Sequence, residues 1–226
     1  PPRWAWARHT WTWGIRAFLL STEKIMWRFM FVPILMVLYD YVKPPIDHLY
    51  FSNLHRPLLG IQNTFREIVK CLPEYDVKNY PGLLLLKLHY PKLREEFEKV
   101  SPTLEKTWYH DTNPWFEKND GYYFYKAEQF PLLNSLIRQI PCINREGASF
   151  AVIEGPMVLH PHRAESNELL RYQLTIHGDG DCSLYTDKGR HVHKEGEDIL
   201  FDHARYHELV KTGDGRRVVL ILDIHR

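Results

Sequence analysis

The residues of this chain best suited to chemistry are His162, His207 and Arg217, all in its C-terminal third. Imidazole nitrogen is a ligand for iron, zinc, copper or nickel. Two such ligands on neighbouring strands leave several coordination positions open to substrates. An arginine at a buried strand end can hold a small dicarboxylate through two parallel hydrogen bonds, which lysine cannot reproduce. The set therefore points to a metal pair beside an anion clamp. Eight of the 13 histidines fall between His160 and His225, so composition alone can also match a loose metal template. On spacing alone, both readings stay open.

The elements that must position these residues follow Pro141. SFAVIEG, MVLHPH, LLRYQLTIH, CSLYTD, GRHVHK, DILFD, YHELVK and RVVLILDIH succeed one another, separated by Gly, Asp, Asn or Lys. Short β-branched and aromatic runs with turn signals between them predict an antiparallel sandwich or barrel of eight strands. Arg171 and Gln173 are two apart and so share a strand face, expected to point inward. By the same parity His160 shares the face of His162, as a neighbouring polar group, a surface residue or a third ligand. Asp202 is either an acceptor for a ligand imidazole or a turn former after its strand. His191 and His193, beside Arg190 and Lys194, read as the solvated face of a hairpin.

Ahead of these strands the patterns are mostly helical. Ile61 to Leu72, Pro91 to Val100 and Glu128 to Ile140 read as helices, the last with Phe130, Leu133, Leu136, Ile137 and Ile140 on one face. Residues 43–60 read as a turn-rich linker, because Pro44, Pro45 and Pro57 break helix interiors. The stretch from Trp108 to Tyr125 reads as an aromatic loop. Its Trp108, Trp115 and Tyr122 to Tyr125 either roof a cleft or pack between the helices and the sheet. The expected fold is thus α+β with a mainly β core, a helical N-terminal half packed on it.

A formal charge of +1 over 226 residues gives no support to nucleic-acid binding. Three scattered cysteines without a CxxC pair point to a reducing, intracellular compartment rather than a disulfide framework. Five of the seven tryptophans precede residue 28, and an apolar run from Phe29 to Tyr39 follows them. That run is too short for a bilayer core, which needs roughly 20 residues. Its cationic and aromatic flank suits either a membrane interface or a helix packed on protein. No small-residue cleavage site follows it, unlike a secretory signal. The expected organisation is a Trp/Arg-rich apolar segment (1–42), a helical and loop-rich supporting region (43–148) and the β core (149–226).

The stretch from Ser149 to Arg226 resembles the aspartyl/asparaginyl β-hydroxylase family. The resemblance lies in PHRAESNELLRYQL (161–174), GEDILFDHARYHELV (196–210) and RRVVLILDIH (216–225). The family's order of His, Arg, FD, His, Arg and Asp is met by His162, Arg171, Phe201-Asp202, His207, Arg217 and Asp223. The helical half, with IPCINREGASFAVIEGP (140–156), is similar in outline to lipid A hydroxylases of that family. The resemblance implies a double-stranded β-helix, or jelly roll, that binds Fe(II) and uses 2-oxoglutarate and O2, with ascorbate in support. It implies His162 and His207 as iron ligands and Arg217 as the grip on the distal carboxylate of 2-oxoglutarate. Arg171 and Gln173 would line the co-substrate or substrate side. The implied substrate is an aspartyl or asparaginyl residue of a peptide, or a lipid acyl chain.

The sequence departs from the family's pattern at four positions. Ala164 stands where many related oxygenases carry a metal-binding carboxylate, and Gln173 where the family usually has His. Ala151 falls where a Ser helps hold the co-substrate, and His203 replaces the second acid of FDD. These changes keep two rival readings alive: a degenerate jelly-roll binding protein, and a cupin-like zinc or nickel module.

Overall fold

The computed structural model describes residues 31–109 and 121–226. Trp115 and the tryptophans and arginines before residue 31 lie outside the described residues. The chain divides into two compact units, Pro1–Val69 and Lys70–Arg226.

In the first unit, residues 31–42 form a helix, α1, and α2 spans His55–Lys70. Pro57 is accommodated because it sits in the first turn of α2, where its missing N–H has no helical partner to lose. The helix thus starts inside the segment expected to be a linker. Gly60 faces the Tyr50 hydroxyl so closely that a Cβ there would lie 2.1 Å from it. Arg56 donates to Asp47 at 2.7 Å in the same unit. Among the described residues, no helix is long and apolar enough to cross a membrane.

Among the described residues, the second unit includes the short helices α3 (Gly82–Leu88), α4 (Tyr90–Val100) and α5 (Pro131–Arg138). Pro91 lies in the first turn of α4, and Leu93 and Phe97 fall one turn apart on its buried face. The Glu96 carboxylate of α4 accepts from the Leu132 and Leu133 amides at 2.6 and 3.0 Å. It thereby satisfies orphan donors at the start of α5 and complements that helix's positive end.

Among the described residues, ten strands follow the order β1 (Thr107–Trp108), β2 (Tyr122–Lys126), β3 (Ile143–Glu154), β4 (Met157–His162) and β5 (Leu169–His177), then β6 (Asp179–Thr186), β7 (Gly189–Lys194), β8 (Asp198–Phe201), β9 (His207–Lys211) and β10 (Arg216–His225). They form two antiparallel sheets, ordered β1-β2-β3-β10-β5-β8 and β4-β9-β6-β7. The eight expected strands are all present, and the architecture is a jelly roll with helices on it. The stretch expected to be an aromatic loop contributes two more strands. Tyr122–Lys126 pairs with Ser149–Ile153 of β3. Alternation explains its composition: Tyr123 and Tyr125 join the core under the helices, and Tyr122 joins the core between the sheets.

That division positions the site. On β5, Leu170, Tyr172, Leu174 and Ile176 are buried in the core under the helices, together with Val218, Leu220, Leu222 and Ile224 of β10. The opposite faces of these strands carry Arg171, Gln173 and Thr175, and Arg217, Val219, Ile221 and Asp223. Val219 and Ile221 pack into the second core with Leu184, Phe201 and Leu209.

Candidate active site

His162 and His207 are directly opposite each other on β4 and β9. Their ring centroids are 4.3 Å apart. A register shift between Leu159 and His162 makes this possible: three residues of β4 span the two steps of β9 from Leu209 to His207. The extra residue is a β-bulge, which re-aims the strand end. Parity therefore fails for His160. It is exposed, and its carbonyl accepts from His162 Nδ1 at 2.8 Å. The Arg205 carbonyl likewise accepts from His207 Nδ1 at 2.8 Å. A carbonyl can only accept, so Nδ1 carries the proton in both rings and Nε2 is the basic nitrogen of each. Burial and the neighbouring His162 hold the His207 pKa well below the ordinary histidine value, which keeps its ring neutral. Two imidazoles fixed through backbone carbonyls, each with Nε2 as its basic nitrogen, could serve as a ligand pair for a first-row divalent metal. Among the described residues, no group of three or more His, Cys, Asp or Glu is placed to hold a metal. At the position of the missing carboxylate, the Ala164 amide donates to the His203 carbonyl at 2.8 Å.

Arg217 is the largest fully buried side chain among the described residues, 1% exposed. Its Nη2 donates to Gln173 Oε1 at 3.2 Å and to His193 Nε2 at 3.1 Å. Its Nε is buried and has no hydrogen-bond partner among the described residues. Among the described residues, no carboxylate comes within ion-pair distance of it. Burial accordingly lowers its pKa, and the groups that act against this are Cys182 and Tyr122, both neutral. A buried cation lacking a counter-charge is costly, so its guanidinium fits an incoming carboxylate. Ala151, on β3, contributes only a buried methyl to the adjoining core.

Arg171 is disposed differently. It is opposite Asp223 across β5 and β10. Its Nε and Nη2 donate to Asp223 Oδ1 at 3.1 and 3.0 Å. Its charge is therefore matched inside the sheet. His203 sits 3.8 Å from the same carboxylate, yet burial and Arg171 push its pKa down to about 4. Tyr122 lies within the electrostatic reach of both Arg171 and Arg217. It stacks on Tyr109 at 4.5 Å and meets Phe124 at 4.8 Å, forming an aromatic wall.

His193 corrects the sequence reading. Expected on a solvated hairpin face, it is 0% exposed and touches Arg217. The signal in GRHVHK was the alternation itself, masked by charged neighbours on both sides.

Asp202 does not take up the Nδ1–H of His162 or His207, since each is taken by a carbonyl. Its Oδ1 accepts from the Ala204 amide at 3.0 Å, and Arg226 donates to its Oδ2 at 3.2 Å. It therefore shapes the turn that delivers His207. Burial pushes its pKa up to about 6, against the pull of Arg226 and the Ala204 amide. The folded protein holds this proton more tightly than the unfolded chain, whose carboxyl titrates near 3.8. The associated stability is full below that value and is lost as pH rises through about 6. Asp202→Asn keeps an acceptor for Ala204 and removes the ionisation. Its stability relative to the native chain is expected to improve by up to about 3 kcal/mol between pH 4 and pH 7.5. Urea unfolding at several pH values measures this, and a difference that does not move with pH would contradict it.

Comparison with solved structures finds distant likenesses. A prolyl-4-hydroxylase from Pseudomonas putida is 14% identical, with a TM-score of 0.39 over 62% of this chain and 87% of that one. KdgF from Halomonas sp. is 12% identical, with a TM-score of 0.33 over 53% of this chain and 95% of that one. The cupin domain of Cnp3 from Schizosaccharomyces pombe is 4% identical, with a TM-score of 0.30 over 49% and 57%. A search of the curated proteins finds no match. The sequence profile of the aspartyl/asparaginyl beta-hydroxylases matches residues 87–226, more than half of the chain and the whole span from α4 to β10, and the chain belongs to that family.

Proposed function

We propose that this protein is an Fe(II)- and 2-oxoglutarate-dependent hydroxylase, with His162 and His207 as iron ligands and Arg217 as the anchor of the co-substrate's far carboxylate. One observation carries the reading: Arg217 is a fully buried cation with an unpartnered Nε, without a counter-carboxylate among the described residues. Family membership supports the hydroxylase class. The donor set fits the group, because two imidazoles leave positions for a chelating keto acid and for oxygen.

When bound, iron and 2-oxoglutarate supply the O2-dependent hydroxylation of a C–H bond, with 2-oxoglutarate converted to succinate and carbon dioxide. The chain's own residues do the positioning. The carbonyls of His160 and Arg205 hold both ligand rings in one tautomer and orientation. Gln173 holds the Arg217 guanidinium through Nη2. The wall of Tyr109, Tyr122 and Phe124 excludes bulk water from the inter-sheet face. Arg171 is committed to Asp223, so an acidic substrate group has to share that guanidinium. The substrate classes put to the test are aspartyl or asparaginyl peptides and lipid acyl chains.

The test is succinate formation by the purified protein, assayed with substrate panels of both classes. Succinate that depends on Fe(II), 2-oxoglutarate and O2 together is the expected result. A binding protein without turnover is the second reading. It is favoured by Ala164, whose methyl cannot act as a ligand. Tight binding of iron and 2-oxoglutarate without succinate on either panel would establish it instead.

A further inference from the structure

β7 buries one side chain completely, and that side chain is His193. Its Nδ1 is 3.0 Å from Thr175 Oγ1, and its Nε2 is 3.1 Å from Arg217 Nη2. Arg217 can only donate, so His193 Nε2 accepts, and its proton resides on Nδ1 facing Thr175. Gln173 Oε1 accepts from the same Nη2. Two acceptors thus fix one corner of the guanidinium, while Nε stays unpartnered. Both acceptors are neutral. A carboxylate in either place would orient the arginine as well, but it would also satisfy its charge and compete with a ligand.

We infer that His193 is a positioning residue of the anion clamp: a neutral acceptor, held in one tautomer by Thr175, that orients Arg217 without neutralising it. The inference rests on the proposed role of Arg217 and adds what tunes it. Burial and the adjacent guanidinium both oppose protonation of His193, in keeping with an acceptor role.

Glutamine and glutamate at this position differ in charge and scarcely in shape, which separates positioning from packing. The probe is 2-oxoglutarate, titrated calorimetrically into the full-length protein loaded with Fe(II) under anaerobic conditions, alongside thermal unfolding without ligand. His193→Gln is expected to keep its Kd within about threefold of native, because its amide oxygen can accept from Arg217 in place of the ring nitrogen. His193→Glu is expected to weaken binding by about tenfold or more, with a Tm no lower than that of His193→Gln. Thr175→Val, which releases the Nδ1 proton, is expected to weaken binding by about three- to tenfold, and provides a second reading should the glutamate variant not fold. Native protein that binds 2-oxoglutarate, with the Gln and Glu variants matching each other or the Thr175→Val variant matching native, would overturn this inference alone. Native protein that binds none would overturn both the inference and the proposed function.

Discussion

Arg217→Met is expected to leave the ligand-free protein at least as stable as the native chain while removing its affinity for 2-oxoglutarate. In the native fold the guanidinium is 1% exposed and faces only neutral partners, so its desolvation goes uncompensated. Replacing buried ions by apolar side chains of similar volume is often neutral or stabilising by about 1–4 kcal/mol. Loss of a buried, hydrogen-bonded charge partner weakens a ligand by about 2–5 kcal/mol, or roughly 30- to 4,000-fold. The two effects have opposite signs, as befits a residue retained for function at the expense of stability. Thermal unfolding and calorimetric Kd values for both proteins measure them. A destabilised variant that still binds 2-oxoglutarate at native affinity would show Arg217 to be a structural residue.

His207→Ala is expected to abolish iron binding and bring succinate formation to background. Of the two proposed ligands this is the more deeply buried, 6% exposed, with its ring 5.3 Å from that of Phe201. With two imidazoles in the described site, removal of one leaves a single protein ligand, which cannot retain a labile divalent metal against water. Circular dichroism serves as the control for folding, and metal analysis with a succinate assay gives the result. Succinate at native rates from a folded His207→Ala protein would refute the ligand assignment.

The strands were legible because alternation is strong where one face is greasy. Leu170, Tyr172, Leu174 and Ile176 interleave with Arg171, Gln173 and Thr175, and both sets lie where that period puts them. The period also misled. A bulge leaves no mark in composition, so the register shift between Leu159 and His162, which turns His160 outward, could not be read. β2 was hidden because its aromatic residues serve two cores at once and show no polar face. The seven residues of α3, GLLLLKL, carry too continuous an apolar run to display a helical period. Pairings across strands were beyond reach for a different reason. That Asp223 occupies Arg171, and that His193 rather than a carboxylate meets Arg217, depend on register between distant segments. Motif spacing recovers the residues of a site but not the hydrogen bonds that set their charge.

The most direct test of the account is an anaerobic titration of the purified protein with Fe(II) and 2-oxoglutarate, followed through the visible charge-transfer absorption of the chelate. The account predicts a band that saturates with one equivalent of each, is absent from Arg217→Met at matched 2-oxoglutarate, and is lost entirely in His207→Ala. Iron left unbound by the native protein, or a band indifferent to both substitutions, would contradict it.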